Sequence, residues 1–180
     1  AGGKPSPAVR IGGGAVEDVG SLYLATVKEQ FRAMKDLAER ALSQIGEEDF
    51  FWRPHPESNS ISVLMKHLSG NLLSRWTDFL TSDGEKPWRR RDEEFEEERL
   101  SREELFSRWE KAWEAVFKTL EDLTPQDLSR QVTVRGKAQP ALSAIQQQLY
   151  HTAYHVGQLV YLAKARAGDR WQTLTVPRRR

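Results

Sequence analysis

The chain has 180 residues, enough for one domain with a substantial core. Its 27 lysines and arginines against 26 aspartates and glutamates leave a formal net charge of +1, which gives no general attraction for nucleic acid or a membrane surface. With no cysteine there are no disulfides, thiolate metal ligands or cysteine nucleophile, so any thiol chemistry draws its thiol from outside the chain.

No apolar run approaches the ~20 residues needed to span a bilayer, and no signal segment opens the chain, so the cytoplasm is the expected compartment. Residues 1–18 are rich in glycine and carry Pro5 and Pro7, which predicts a flexible tail ahead of a domain over 19–177. From Val19, apolar positions at Leu22, Tyr23, Val27, Phe31, Met34, Ala38, Ala41, Leu42 and Ile45 trace one helical stripe, stopped by Gly46. The Pro-bearing stretch from Phe51 to Ser60 is a loop that no helix could cross.

Asn59 or Ser60 can cap a second helix carrying Ile61, Val63, Leu64, His67, Leu68, Asn71, Leu72 and Trp76. It gives way at the turn sequence Thr81-Ser82-Asp83-Gly84. The stretch Glu85–Arg99 places Trp88 beside three arginines, which taken alone suggests nucleic-acid contact. Five positive and seven negative residues in that stretch favour a salt-bridged surface loop instead, and no nucleic-acid partner is expected.

Ser101-Arg102-Glu103-Glu104 matches a capping box and opens a third helix with Leu105, Trp109, Ala112, Trp113, Val116, Phe117 and Leu120 at core spacing. Thr124-Pro125 begins a short helical piece, and Gln131 to Lys137 reads as a small hairpin or extended loop. A last long helix spans about Ala141 to Ala167 and ends at Gly168, before the basic tail 178–180. Four long amphipathic helices with little strand predict an all-α four-helix bundle. The loops after the first and second helices exceed the ~2–8 residues usual in bundles, so a simple up-down order is not implied.

The chemistry concentrates in histidine. His151 and His155 are four apart on the last helix and therefore share a face, together with Gln148 and Gln158. His67 lies on the second helix, on a face with Val63, Leu64, Asn71 and Ser74. Two imidazoles from one helix and a third from a facing helix would form an open metal site, with a fourth position left for water or substrate. The i, i+4 spacing is weak by itself, since a histidine on an apolar face is more often a hydrogen-bonded core residue. Burying three imidazoles without a shared partner would be costly, which favours a metal. Asn71, Gln148 and Gln158 are candidates for orienting ligands or meeting substrate, against a plain role in interhelical hydrogen bonding. His55, between two prolines, is expected to be an exposed loop residue.

These residues resemble the DinB superfamily, the DinB/YfiT-like metalloenzymes, and in particular a branch of small bacterial proteins. The resemblance rests on Asn59-Ser60-Ile61, His67-Leu68-Ser69-Gly70-Asn71, Ser74-Arg75-Trp76-Thr77-Asp78-Phe79-Leu80, the run from Asp83 to Phe95, and His151-Thr152-Ala153-Tyr154-His155-Val156-Gly157-Gln158. It covers about Val19 to Pro177 and departs only in the arginine tail. It implies a bundle of down-up-up-down-like order, assembled as a homodimer, with a divalent metal (zinc or nickel) held by His67, His151 and His155. Characterised members of the superfamily include bacillithiol-type S-transferases and a mycothiol-dependent isomerase, and others are described as metal-dependent hydrolases.

The expected function is a metal-dependent enzyme that transfers a low-molecular-weight thiol onto an electrophile. A hydrolase using metal-activated water and a non-catalytic, stress-associated metal-binding protein are the alternatives. A surplus of large apolar residues, six tryptophans among them Trp76, Trp109 and Trp113, adds to the expectation of a homodimer, because aromatic residues are enriched at interfaces. Unperturbed imidazoles, near pKa ~6.5, would make metal binding weaken below about pH 6.

Overall fold

A computed structural model describes residues 18–177. It is an all-α bundle of α1 (Val19–Leu42), α2 (Ile61–Trp76), α3 (Arg102–Asp122) and α4 (Ala141–Ala167), with one small hairpin of β1 (Gln131–Val134) and β2 (Lys137–Pro140). Residues 1–17 of the predicted N-terminal tail and the basic tail 178–180 lie outside the described residues, whereas Asp18, placed in that tail by the sequence reading, caps α1. No helix among the described residues is long and apolar enough to cross a membrane.

The helix ends follow local chemistry. The Asp18 carboxylate caps α1 by accepting from Ser21 N, and Ser60 Oγ caps α2 by accepting from Val63 N at 3.2 Å. Ser101 and Glu104 form the capping box of α3 reciprocally. Helix α1 stops at Leu42, three residues short of Ile45, although Ile45 is still buried. The hairpin turns at Arg135-Gly136, where both residues have positive φ (52° and 73°), the geometry of a type I′ turn.

Contacts between helices give their directions. Lys28 pairs with Glu121 and Lys35 with Glu110, while Arg102 donates to Leu42 O, so α1 and α3 run antiparallel. Arg166 near the end of α4 binds Asp49, just after α1, and Gln172 N donates to Gln44. Helices α1 and α4 are therefore parallel. The end of α2 meets the end of α3, where Thr119 donates to Trp76 O at 2.8 Å. The start of α2 faces the end of α4 across a groove shared by Leu64 and Gln158. The order is up, down, down, up, as the resemblance implied. Two consecutive parallel helices require a return along the bundle, and the 77–101 connection supplies it. That crossover positions the site.

Helix α2 is central, with Ile61, Leu64, Met65, Leu68, Leu72 and Trp76 all buried. Phe31 of α1 packs edge-on against Trp76 and Trp113, with ring centroids 5.4 and 6.2 Å apart. Trp76, Trp109 and Trp113 are each at most 1% exposed inside this chain's own core. The tryptophan argument for an interface therefore fails at those three residues. They fill the bundle.

Candidate metal centre

His67 projects from the middle of α2 toward α4, where His151 and His155 sit one turn apart. The three residues form the one group of potential ligands detected among the described residues, with their ligand atoms within 4.8 Å of one another. His67 Nε2 lies 3.3 Å from His151 Nε2, which lies 3.1 Å from His155 Nε2. Metal–nitrogen bonds of ~2.0–2.1 Å at tetrahedral angles place nitrogens roughly 3.3 Å apart, so the spacing fits. His67 and His155 are buried and His151 is half-buried.

The outer nitrogens fix the tautomers. His67 Nδ1 is 2.9 Å from Glu94 Oε2, and His155 Nδ1 is 2.8 Å from Gln158 Oε1. Both oxygens accept, so each ring carries its proton on Nδ1 and turns a bare Nε2 inward. His151 Nδ1 is buried with no partner. A neutral His151 has one N–H and can satisfy at most one of its two inward neighbours, which leaves another lone pair facing a lone pair. A shared cation would resolve that conflict.

The electrostatics keep two of these rings neutral. Burial, followed by the neighbouring His155 and His67 and the charges of Arg89 and Arg75, pushes His151 down to about 3. Burial also lowers His155, against the opposing hydrogen bond to Gln158. For these two rings, protons would therefore compete with a metal at lower pH than unperturbed imidazoles predict. Burial works to raise the Glu94 carboxyl, but hydrogen bonds from His67 and Arg89 and the Arg89 charge outweigh it and hold it below the ordinary carboxylate range.

Glu94 is brought to His67 by the crossover. Arg89 grips both of its oxygens, with Nε–Oε1 at 2.8 Å and Nη2–Oε2 at 2.9 Å. The stretch 85–99 is salt-bridged as expected, but it is not all surface. The Arg89 side chain is 2% exposed and that of Glu94 11%. Phe95, next in the chain, covers His67 with ring centroids 4.7 Å apart. Arg89, Glu94 and Phe95 are thus part of the site, and the sequence reasoning did not single them out. Of the three amide candidates, Gln158 orients His155. Asn71 and Gln148 are buried one turn from His67 and His151, and Asn71 Oδ1 and Gln148 Oε1 have no hydrogen-bond partner. His55 lies apart in an exposed loop, its Nδ1 accepting from Glu57 N.

The domain as a whole has a family. Residues 18–180 match the family described as protein of unknown function, DUF1572. The chain belongs to the DUF1572 family. No curated protein matches this DUF1572 chain.

Proposed function

We propose that this DUF1572 protein is a metal-dependent enzyme of the DinB superfamily that transfers a low-molecular-weight thiol onto an electrophile. The observation that carries it is the convergence of three Nε2 atoms, with the outer nitrogens of His67 and His155 already committed to Glu94 and Gln158. Three neutral nitrogen ligands suit zinc or nickel and leave a coordination position free. A divalent metal held there would supply a Lewis acid that makes a weakly acidic nucleophile anionic at neutral pH.

The chain's own residues do the rest. Glu94 and Arg89 hold the His67 ring, Gln158 holds the His155 ring, and Phe95 shields His67 from water. The absence of cysteine in the chain agrees with a thiol that arrives as substrate. The cytoplasm, where small thiols are kept reduced, is the matching compartment. The resemblance to the DinB superfamily supports the thiol over water as nucleophile, and supports a homodimer.

The test is a conjugation screen with zinc- or nickel-loaded protein, small thiols and model electrophiles. Metal-dependent, saturable thiol consumption that disappears in His151→Ala is the expected result. Ester hydrolysis without thiol consumption would move the assignment to a hydrolase. Bound metal with turnover of neither class would leave a metal-binding protein without catalysis.

A further inference from the structure

Polar side chains continue along the α2–α4 seam beyond the histidines. On α2, His67, Asn71 and Arg75 recur every fourth residue, and on α4 Gln148 lies one turn before His151. Asn71 Oδ1, Gln148 Oε1 and Arg75 Nη1 are all buried without a partner. Two of these residues, Arg75 and Gln148, line a small cavity of about 60 Å³ between the seam and the hairpin. Its other walls include Phe79, Val132, Val134 and Ala144. That space is enough for a carboxylate group or for ordered water.

Arg75 has no carboxylate to itself: Asp83, whose charge also acts on it, is taken up by the backbone N–H groups of Glu85, Arg135 and Gly136. Arg75 Nη2 is paired with Glu85 at 3.3 Å, but the same carboxylate also serves Arg89 at 3.4 Å and Arg135 at 3.1 Å. One acid thus faces three guanidinium groups, and Arg89 is further shared with Glu94. An apolar-walled cavity with a buried N–H that lacks an acceptor, next to a rotatable amide, is suited to a planar anion.

We propose that Arg75 and Gln148 form the recognition end of the substrate site and bind a carboxylate, so that the substrate is a small organic acid. Its reacting group would meet the three histidines while its carboxylate enters the cavity, and the inference rests on the metal-dependent reading above. From His67 to Arg75 the helix rises ~12 Å, and a long side chain on a helix leans back toward the N-terminus. The span between the two ends suits an acid with a few carbons between its carboxylate and its reacting group.

The test uses cobalt-loaded full-length protein and bifunctional probes. The probes are 4-mercaptobutyrate, 5-mercaptopentanoate and 6-mercaptohexanoate, each compared with the mercaptoalcohol of equal length. Binding is read from the sulfur-to-cobalt charge-transfer band. At least one mercaptoacid should bind ten-fold or more tightly than its alcohol. Arg75→Met should abolish that preference while cobalt remains bound, Arg75→Lys should restore part of it, and Gln148→Leu should reduce it. Should Arg75→Met not fold, Gln148→Leu and Arg75→Lys still report on the cavity. Equal affinities for acid and alcohol, or a preference that survives both Arg75→Met and Gln148→Leu, would overturn the proposal and leave the cavity to ordered water. A protein that takes up no cobalt would instead overturn the metal reading, and this inference with it.

Discussion

Glu94 rests against the backbone of Gly70, in space that any larger residue at that position would occupy. A Cβ at Gly70 would collide with the Glu94 carboxylate, whose Cδ would lie only 2.8 Å away. Glycine in a helix interior costs roughly 0.5–1 kcal/mol relative to alanine, so its presence in α2 needs a reason. The reason is access. The missing side chain opens a gap in α2, one turn beyond His67, through which the crossover delivers its acid to the imidazole.

Glu94→Ala should therefore weaken metal binding by about 10–100-fold, the usual effect of removing an acceptor behind a metal-bound histidine. Gly70→Ala should act in the same direction and less strongly, because the Glu94 side chain can shift only by giving up part of its grip on Arg89 or His67. Chelator competition measures both. Wild-type affinity in Glu94→Ala would remove Glu94 from the site.

Single replacements of His67, His151 or His155 by alanine should each abolish stoichiometric metal binding while leaving the helical content unchanged. A site of three protein ligands cannot spare one, and the core of Phe31, Trp76, Trp109 and Trp113 does not depend on it. His55→Ala should keep its metal, since His55 stands outside the cluster. Metal content by mass spectrometry with circular dichroism for the four variants separates these outcomes.

The metal-free protein should lose stability on acidification. His151 is pushed down to about 3 in the folded chain and His155 is also lowered, whereas in the unfolded chain both titrate near pKa ~6.5. Above that value neither state binds the proton and the two groups contribute no pH dependence. Below it the unfolded chain takes up protons that the folded chain refuses, so stability falls as pH drops, by up to ~1.4 kcal/mol per pH unit for each group. Chemical denaturation of apoprotein between pH 7.5 and 5 should show this slope, and His151→Gln should flatten it. An unchanged slope in that variant would contradict the assignment.

Phe31→Ala should destabilise the fold by about 3–5 kcal/mol, because the ring is fully buried between Trp76 and Trp113 and its removal leaves a cavity. Denaturant titration checks the value. A loss under 1 kcal/mol would mean that the tryptophans collapse into the space.

Much of this was legible in the sequence. The helical stripes, the Ser60 and Ser101 caps, the Gly168 stop and the shared face of His151 and His155 are local signals, and the structure follows them. The partners of the histidines were only partly visible. Gln158 could be proposed because it sits on the same helix face as His155, three residues on. Glu94 and Arg89 could not, because every member of the charged run 85–99 carries the same local signal and only the crossover path selects two of them. Gly70 was the available clue, a glycine inside a helix that is otherwise largely buried. The tryptophans misled for a related reason, since composition counts large residues without revealing that Phe31, Trp76, Trp109 and Trp113 interlock within one chain.

A metal at the three histidines is tested by elemental analysis of untagged protein purified without a metal column. Close to one equivalent of zinc or nickel per chain is expected, lost in the His67, His151 and His155 alanine variants. Metal-free protein that takes up none of these ions on reconstitution, or a full equivalent retained when all three histidines are replaced, would contradict it.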